Sequence, residues 1–439
     1  MNNPAVENLK IFTVSGKPVK DLSRFTALCH ALGNPQQTVC SQQTVCSQQT
    51  VCSQNNINFI HIAGTNGKGS VSEYISRALV NAKFKTGKFT SPYIYNIHER
   101  IQLQNKPISE KDFDKYVNTA INAALTQTHN AGTVYSQFEI LTAAAFLYFK
   151  EKKADFVVLE TGIGGLLDCT NIVTQKLSVI TAIGYDHAAL LGTELSDIAR
   201  HKAGIIKHQA GVGNSPPCVM YPVQERETYV EIRKQCEKTG AELIIPDVDS
   251  VTDEKISIYG NSFQYKNEAF STIMGGKHQV LNALTAIETL KFLNIPFEHI
   301  KSGLKTAQIP ARMQIIRKNP LIVLDGAHNR QGLTAAKAVF SAWRVRKAVV
   351  LGMLSGKDYI GALQELVHFT HYLILTDGFA ENAVSCSDLY RAAVMTGFFH
   401  ELIFTVSEPK RAVELAAELC GGGIVLVTGT LRLAEAVRD

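Results

Sequence analysis

The run Gly64-Thr65-Asn66-Gly67-Lys68-Gly69-Ser70 carries the chemistry most directly readable from this chain. Glycines let a backbone approach a ligand closely and take positive φ. Lys68, at an exposed turn position, supplies a point positive charge for a β- or γ-phosphate, and Ser70 can place a hydroxyl near bound Mg2+. Ahead of the run, Phe59 to Ala63 is apolar and short enough for a buried strand. Behind it, Val71, Tyr74, Ile75, Leu79 and Val80 recur at helical spacing. A strand-to-helix turn of this kind aims backbone N–H groups and a helix N-terminus at phosphate. The usual phosphate loop has a further glycine where Ile62 stands, so this is a shorter variant.

Other reactive residue types stand at the C-terminal ends of expected strands, where open α/β sheets bind ligands. They are Ser91-Pro92, Glu160 to Gly165, Asp186-His187 with Lys202 to Lys207, and Asp325 to Asn329. Glu160 follows the apolar run Phe156–Leu159, which puts its carboxylate at a strand end near the phosphate loop. Mg2+ takes few carboxylates together with phosphate and water oxygens, so Glu160 suits a metal ligand; a helix cap or a structural ion pair is the other reading.

The elements that must position these residues alternate along the chain. Residues 20–33 read as a helix ending at Gly33. Lys85–Thr90, Phe156–Glu160 and Val179–Ile183 read as strands. Phe113 to Leu125, Gln137–Phe149, Ser196–Lys202 and Gln279–Leu293 read as helices. Val219, Val230 and Leu243–Ile245 fit one further strand-helix-strand passage, and Asp247 to Phe270 suggests a small antiparallel patch. Beyond Ile309-Pro310 the alternation restarts, with strands at Leu321–Leu324, Ala348–Leu351, Tyr372–Thr376 and Ile424–Val427 and a helix at Leu333–Val339. The expected fold is α/β with two doubly wound domains. Residues 1–309 form the N-terminal, P-loop ATPase-like domain and 310–439 a smaller, Rossmann-like one.

With 439 residues the chain exceeds one comfortable core. Apolar residues make up 45% and charged residues 19%, a globular composition. The net charge of +5 is dispersed, with no basic stripe bearing aromatics, which gives no reason to expect nucleic acid as a partner. No apolar run is long enough to span a membrane, and Met1-Asn2-Asn3-Pro4 has no signal pattern. The nine cysteines are odd in number and lack Cys-x-x-Cys spacing, so they read as reduced thiols of a cytoplasmic protein. Three of them belong to a tandem Gln-Gln-Thr-Val-Cys-Ser repeat from Gln36 to Ser53, polar and uncharged, read as a duplicated surface loop.

Taken together, these stretches resemble the folylpolyglutamate synthase/dihydrofolate synthase family of the Mur ligase superfamily. Leu32 to Gln36, the phosphate loop, Ser91-Pro92, Gly164 to Asn171, Lys202 to Lys207, Asp325 to Asn329 and Val427 to Thr430 follow the family's order over almost the whole chain. The resemblance implies an ATP-dependent amide ligase that joins L-glutamate to dihydropteroate or to folates through an acyl phosphate. It implies that Gly67, Lys68, Gly69 and Ser70 hold ATP phosphates, and that Asn282, Arg312 and Asp325, with His328 as a weaker candidate, contact ATP. Ser91 and Glu160 match ligands of one Mg2+, and His187 a ligand of a second. Lys202 matches a lysine carboxylated on its amine and so able to give the metal oxygen ligands. Phe138, Glu139, Leu167, Asp168 and Cys169 match the pterin-binding region. Lys68, Glu160, His187 and Lys202 are thus the expected catalytic set, in a monomer.

There are departures. Relatives often carry Arg where Leu166 stands, and usually Glu where His201 precedes Lys202. Two rival readings are a Mur-type ligase acting on a peptidoglycan precursor and a simple nucleotide-binding switch. The second-domain motif Asp325 to Asn329 argues against a switch, which needs only the first domain.

Overall fold

The computed structural model describes residues 4–13, 21–37, 57–131, 134–208, 215–341 and 343–438. The hexapeptide repeat lies outside them from residue 38 onward. The chain forms two compact units. One holds Met1–Ile183, His187–Asp247 and Asn282–Gly303; the other holds Gly184–Asp186, Val248–Leu281 and Leu304–Asp439.

The first unit is built on β1 (Asn58–Ala63), β2 (Thr86–Phe89), β3 (Ile101–Leu103), β4 (Lys106–Pro107), β5 (Phe156–Glu160), β6 (Gln175–Ile180), β7 (Ser215–Met220) and β8 (Ala241–Ile244). They lie in the order β4-β3-β2-β5-β1-β6-β7-β8. All pairings are parallel except at one edge, where β3 and β4 run antiparallel. β1 is central, and every residue from Phe59 to Ala63 is buried because both faces are covered. One face packs Phe59, Phe89, Val157 and Leu159 against helices that include Glu110–Ala131 and Gln137–Glu151. Further along the same face, Ala63, Ile180, Cys218 and Met220 pack against Leu195–Ala203 and Arg226–Thr239, while Ile60, Ile62, Val158 and Val219 point to the opposite face.

The second unit contains a three-stranded antiparallel sheet of β9 (Val251–Ser257), β10 (Gly260–Tyr265) and β11 (Glu268–Thr272). It also holds β12 (Gln314–Lys318), β13 (Leu321–Leu324), β14 (Lys347–Leu351), β15 (Tyr372–Leu375), β16 (Ile403–Thr405) and β17 (Ile424–Thr428). These last six form a sheet in the order β12-β13-β17-β14-β15-β16. Its strands alternate strictly. Val323, Val349, Leu351, Leu373 and Leu426 enter one core, while Ile322, Leu324, Val350, Ile374 and Val427 enter the other. Each such side chain contributes about 1.5–3 kcal/mol on burial.

The expected α/β architecture with a large, mainly parallel sheet in each unit is present, and the antiparallel patch expected between Asp247 and Phe270 is the sheet of β9 to β11. One strand moves: Val179–Ile183 becomes Gln175–Ile180. Past Ile180 the backbone leaves the ladder, and the Ala182 carbonyl accepts hydrogen bonds from the phosphate loop instead. Among the described residues no helix is long and apolar enough to cross a membrane.

The helix Lys68–Asn81, which begins at the phosphate loop, is backed by the helix Phe297–Thr306 at very close range. A Cβ on Gly303 would lie 2.6 Å from the Ala78 backbone nitrogen. Gly303→Ala gains about 1 kcal/mol of helix propensity and meets about 1–3 kcal/mol of overpacking against rigid backbone. We expect the clash to prevail and the thermal midpoint to fall; a raised midpoint would show that the two helices part easily.

Candidate active site

The phosphate loop hangs between two strand ends. Thr161 donates its N–H to the Ile62 carbonyl (2.9 Å), and Thr181 donates to that of Ala63 (2.8 Å). Thr65 and Asn66 both donate to the Ala182 carbonyl, at 2.8 and 3.0 Å. Gly67 then closes the loop with φ 89°. The positive φ favours glycine, and a Cβ there would lie 2.4 Å from Oδ1 of Asn282 and push that side chain aside. The helix begins at Lys68, with Gly69 and the buried Ser70 in its first turn, where helix N–H groups have no intrahelical partner.

Two lysines converge on this loop. Lys68 donates from Nζ to the Gly64 carbonyl (3.0 Å), and Lys202 donates to the same oxygen (2.8 Å). Lys68 is not exposed as expected: its side chain is 15% accessible, folded back over Gly64 with Nζ 4.0 Å from Glu160 Oε1. Glu160 is buried at the end of β5, in register with Ile62. Its Oε2 lies 3.5 Å from the Ser91 N–H. The Ser91 hydroxyl accepts from Arg100 Nη1 at 3.1 Å.

A buried carboxylate beside a hydroxyl fits Mg2+, which takes few protein ligands when phosphate and water supply the rest. Among the described residues no group of three or more His, Cys, Asp or Glu assembles a cage of its own. His187 is exposed, has φ 52°, and caps the short helix Ala188–Leu191.

Beside the loop, the carboxylates matched to pterin binding are engaged in holding the chain. Asp168 Oδ2 accepts from the Gly162 and Ile163 N–H groups (2.9 and 3.0 Å). Its Oδ1 accepts from the Thr170 N–H (3.0 Å) and hydroxyl (2.6 Å). Burial raises the Asp168 pKa, and these bonds pull it partly back. Thr170 has spent its proton, so His61 Nε2 donates to Thr170 Oγ1 at 2.9 Å. Burial, helped by the charge of Lys207, pushes the His61 pKa well below the usual imidazole value. Glu139 takes a two-pronged contact from Arg24 (2.7–2.9 Å) and closes a capping box with Ser136. Cys169 donates to Thr142 (3.3 Å), and burial lifts its thiol pKa far up. Leu167 is half-buried, and the Phe138 ring lies 5.7 Å from that of Phe89.

The same loop is sewn to the segment around Lys202. Leu166 N–H donates to the His201 carbonyl (2.7 Å), and Asn171 Nδ2 donates to the carbonyls of Leu166 and Gly204 (3.1 and 3.0 Å). Lys207 donates to the carbonyls of Asn171 and Val173 (2.7 and 2.6 Å), and burial lowers its pKa to about 8.

Within the second unit, Asp325 accepts from the N–H groups of Met313 and Ala327, both at 3.0 Å, and so fixes the backbone around the half-buried Arg312. His328 Nδ1 lies 3.1 Å from the Gly326 carbonyl, and its Nε2 3.3 Å from Asp186, which also receives Lys357 (2.6 Å).

Sequence reasoning passed over Arg24 and Arg100, and it gave His61 and Lys207 no role of their own. The spacing of Ser136 and Glu139 signals a capping box at Glu139, but nothing in the sequence points to Arg24 as its second partner.

Comparison with known proteins gives this geometry a class. The Mur ligase middle domain matches residues 62–290, and the Mur ligase glutamate ligase domain matches 311–431. The chain is therefore a Mur-type ligase, an enzyme forming carbon–nitrogen bonds. The dihydrofolate synthase/folylpolyglutamate synthase of Bacillus subtilis (strain 168) is 34% identical over 402 residues, covering 87% of this chain and 90% of that protein. The folylpolyglutamate synthase of Lacticaseibacillus casei is 33% identical, covering 82% of each chain. The structure of Mycobacterium tuberculosis folylpolyglutamate synthase complexed with ADP and AMPPCP superposes with TM-score 0.86 at 26% identity, covering 99% of each chain. The chain belongs to the folylpolyglutamate synthase/dihydrofolate synthase family.

A pH dependence follows from His61. Unfolded, it takes up a proton below about pH 6.5; folded, it resists. Its contribution to stability is therefore complete above that pH and is lost as the pH falls below it. Urea unfolding at pH 7.5 and 5.5 should give a pH-dependent loss that shrinks by up to about 1.4 kcal/mol in His61→Gln. An unchanged slope would remove His61 as its source.

Proposed function

We propose that this chain adds L-glutamate to dihydropteroate, to folyl-(poly)glutamate, or to both, through an acyl phosphate formed with ATP. The observation that carries this reading is the meeting of Lys68, Lys202 and Glu160 around the Gly64 carbonyl, beside helix N–H groups. That arrangement suits a γ-phosphoryl group, and the match to the glutamate ligase domain supplies the amine acceptor's class.

The acceptor carboxylate attacks the γ-phosphorus and ADP departs. The glutamate amine then attacks the acyl carbon, and phosphate leaves as the amide forms. Gly67, Lys68, Gly69 and Ser70 cradle the phosphates, with Lys68 and the loop N–H groups neutralising charge on the transferring group. Asn282, Arg312, Asp325 and His328 contact ATP. Phe138, Glu139, Leu167, Asp168 and Cys169 form the pterin side. For Glu139 and Asp168 the hydrogen bonds favour a role in shaping that wall.

Ser91 and Glu160 would hold one Mg2+; His187 and carboxylated Lys202 would hold a second. When bound, the metal supplies positive charge to the phosphoryl oxygens. Carboxylation joins the neutral Lys202 amine to CO2 and releases a proton, leaving an anionic oxygen donor. In this reading residues 1–309 act as the ATP-binding part and 310–439 as the C-terminal ligase part of a cytoplasmic monomer. The described cysteines, all free thiols, suit that compartment.

The test is phosphate release from ATP with dihydropteroate and tetrahydrofolate offered separately, each with and without glutamate. Release should require an acceptor and glutamate together; release independent of both would make the chain a simple NTPase. Lys202→Ala should lose most activity, on the order of 10²–10³-fold, and short carboxylic acids should restore part of it. Rescue by short amines but not acids would mean that Lys202 works as an unmodified cation.

A further inference from the structure

The chain between β2 and β3 is a tightly tied loop, and it delivers one guanidinium to the site. Glu99 accepts the N–H groups of Ile94 and Asn96, both at 3.0 Å, and closes a capping box with Asn96. Thr90 N–H donates to the Arg100 carbonyl (3.0 Å), which fixes the Arg100 backbone against the end of β2. The Arg100 guanidinium carbon lies 5.4 Å from the centre of the Tyr93 ring and 5.9 Å from that of Phe138. Nη1 donates to the Ser91 hydroxyl, and the Ser91 N–H faces buried Glu160. Arg100 therefore joins an aromatic wall on one side to the strand-end carboxylate on the other.

We propose that Arg100 binds the carboxylate of the acceptor substrate and holds it between the Phe138 ring and the reacting phosphate. This rests on the ligase reading above. An acceptor acid must bring its negative charge close to a triphosphate and to Glu160, which requires a cation on its own side of the site. Lys68 and Lys202 both point at the Gly64 carbonyl, on the phosphate side. Arg100 supplies the charge on the aromatic side. Contact with two rings restrains the guanidinium plane, and a planar fork holds a carboxylate through paired hydrogen bonds. A lysine would keep the charge and lose that geometry.

The test compares calorimetric binding of dihydropteroate and its neutral carboxamide to the parent protein, Arg100→Gln and Arg100→Lys. The parent should favour the acid by about 10–100-fold, the worth of a charge-assisted hydrogen bond. Arg100→Gln should bring acid and carboxamide within about twofold of each other while leaving carboxamide affinity unchanged. Arg100→Lys should keep part of the preference. A parent-like preference in Arg100→Gln would overturn the assignment and leave the ligase reading intact. Equal weakening of acid and carboxamide would also overturn it, by reducing Arg100 to a support of the loop. Failure of the parent to bind either compound would overturn both the assignment and the reading beneath it.

Discussion

One carbonyl oxygen, that of Gly64, receives two ammonium groups. Like charges brought to one acceptor repel, and the nearby Glu160 carboxylate, 4.0 Å from Lys68, offsets that repulsion only in part. The arrangement is poised for further negative charge. Its geometry depends on β1 standing at the middle of the sheet, so that the ends of β5 and β6 flank the loop. Thr161 and Thr181 bind the strand's last carbonyls, and Ala182 accepts from the loop itself. The position where the sheet's winding reverses is thus also where its cationic groups gather.

Around that point, polar side chains divide their labour. Asp168 and Glu139 fix backbone; Lys207 and Asn171 bind the loop after β5 to the segment carrying Lys202. A buried pair, Lys88 with Glu73, ties β2 to the phosphate helix. Burial alone would raise the Glu73 pKa, and Lys88 and Arg77 together hold it below the usual value. The walls of the site are braced by charges that no ligand needs to satisfy.

Much of this was legible in the residues. The phosphate loop declares itself through glycines between an apolar run and a helical period, and Glu160 through its place at the end of a buried strand. Short strands were not legible. β3, β4 and β16 have two or three residues each, too few for alternation to register, and half-exposed β12 lacks an apolar face. Asp168 and Glu139 illustrate a different limit. Their types mark them as reactive, yet their partners, Thr170, Gly162 and Arg24, become visible only in three dimensions. His61 reads as an ordinary strand residue until Thr170 and Lys207 are brought beside it.

Leu166 separates backbone duty from side-chain duty. Its N–H and carbonyl are both bound, to His201 and Asn171, while its side chain is 45% exposed. The main chain carries the hydrogen bonds and the root of the side chain lies close against Gly204, so only the outward tip is left to vary without loosening the loop. Such a position can change what it presents to solvent while the scaffold beneath it stays constant.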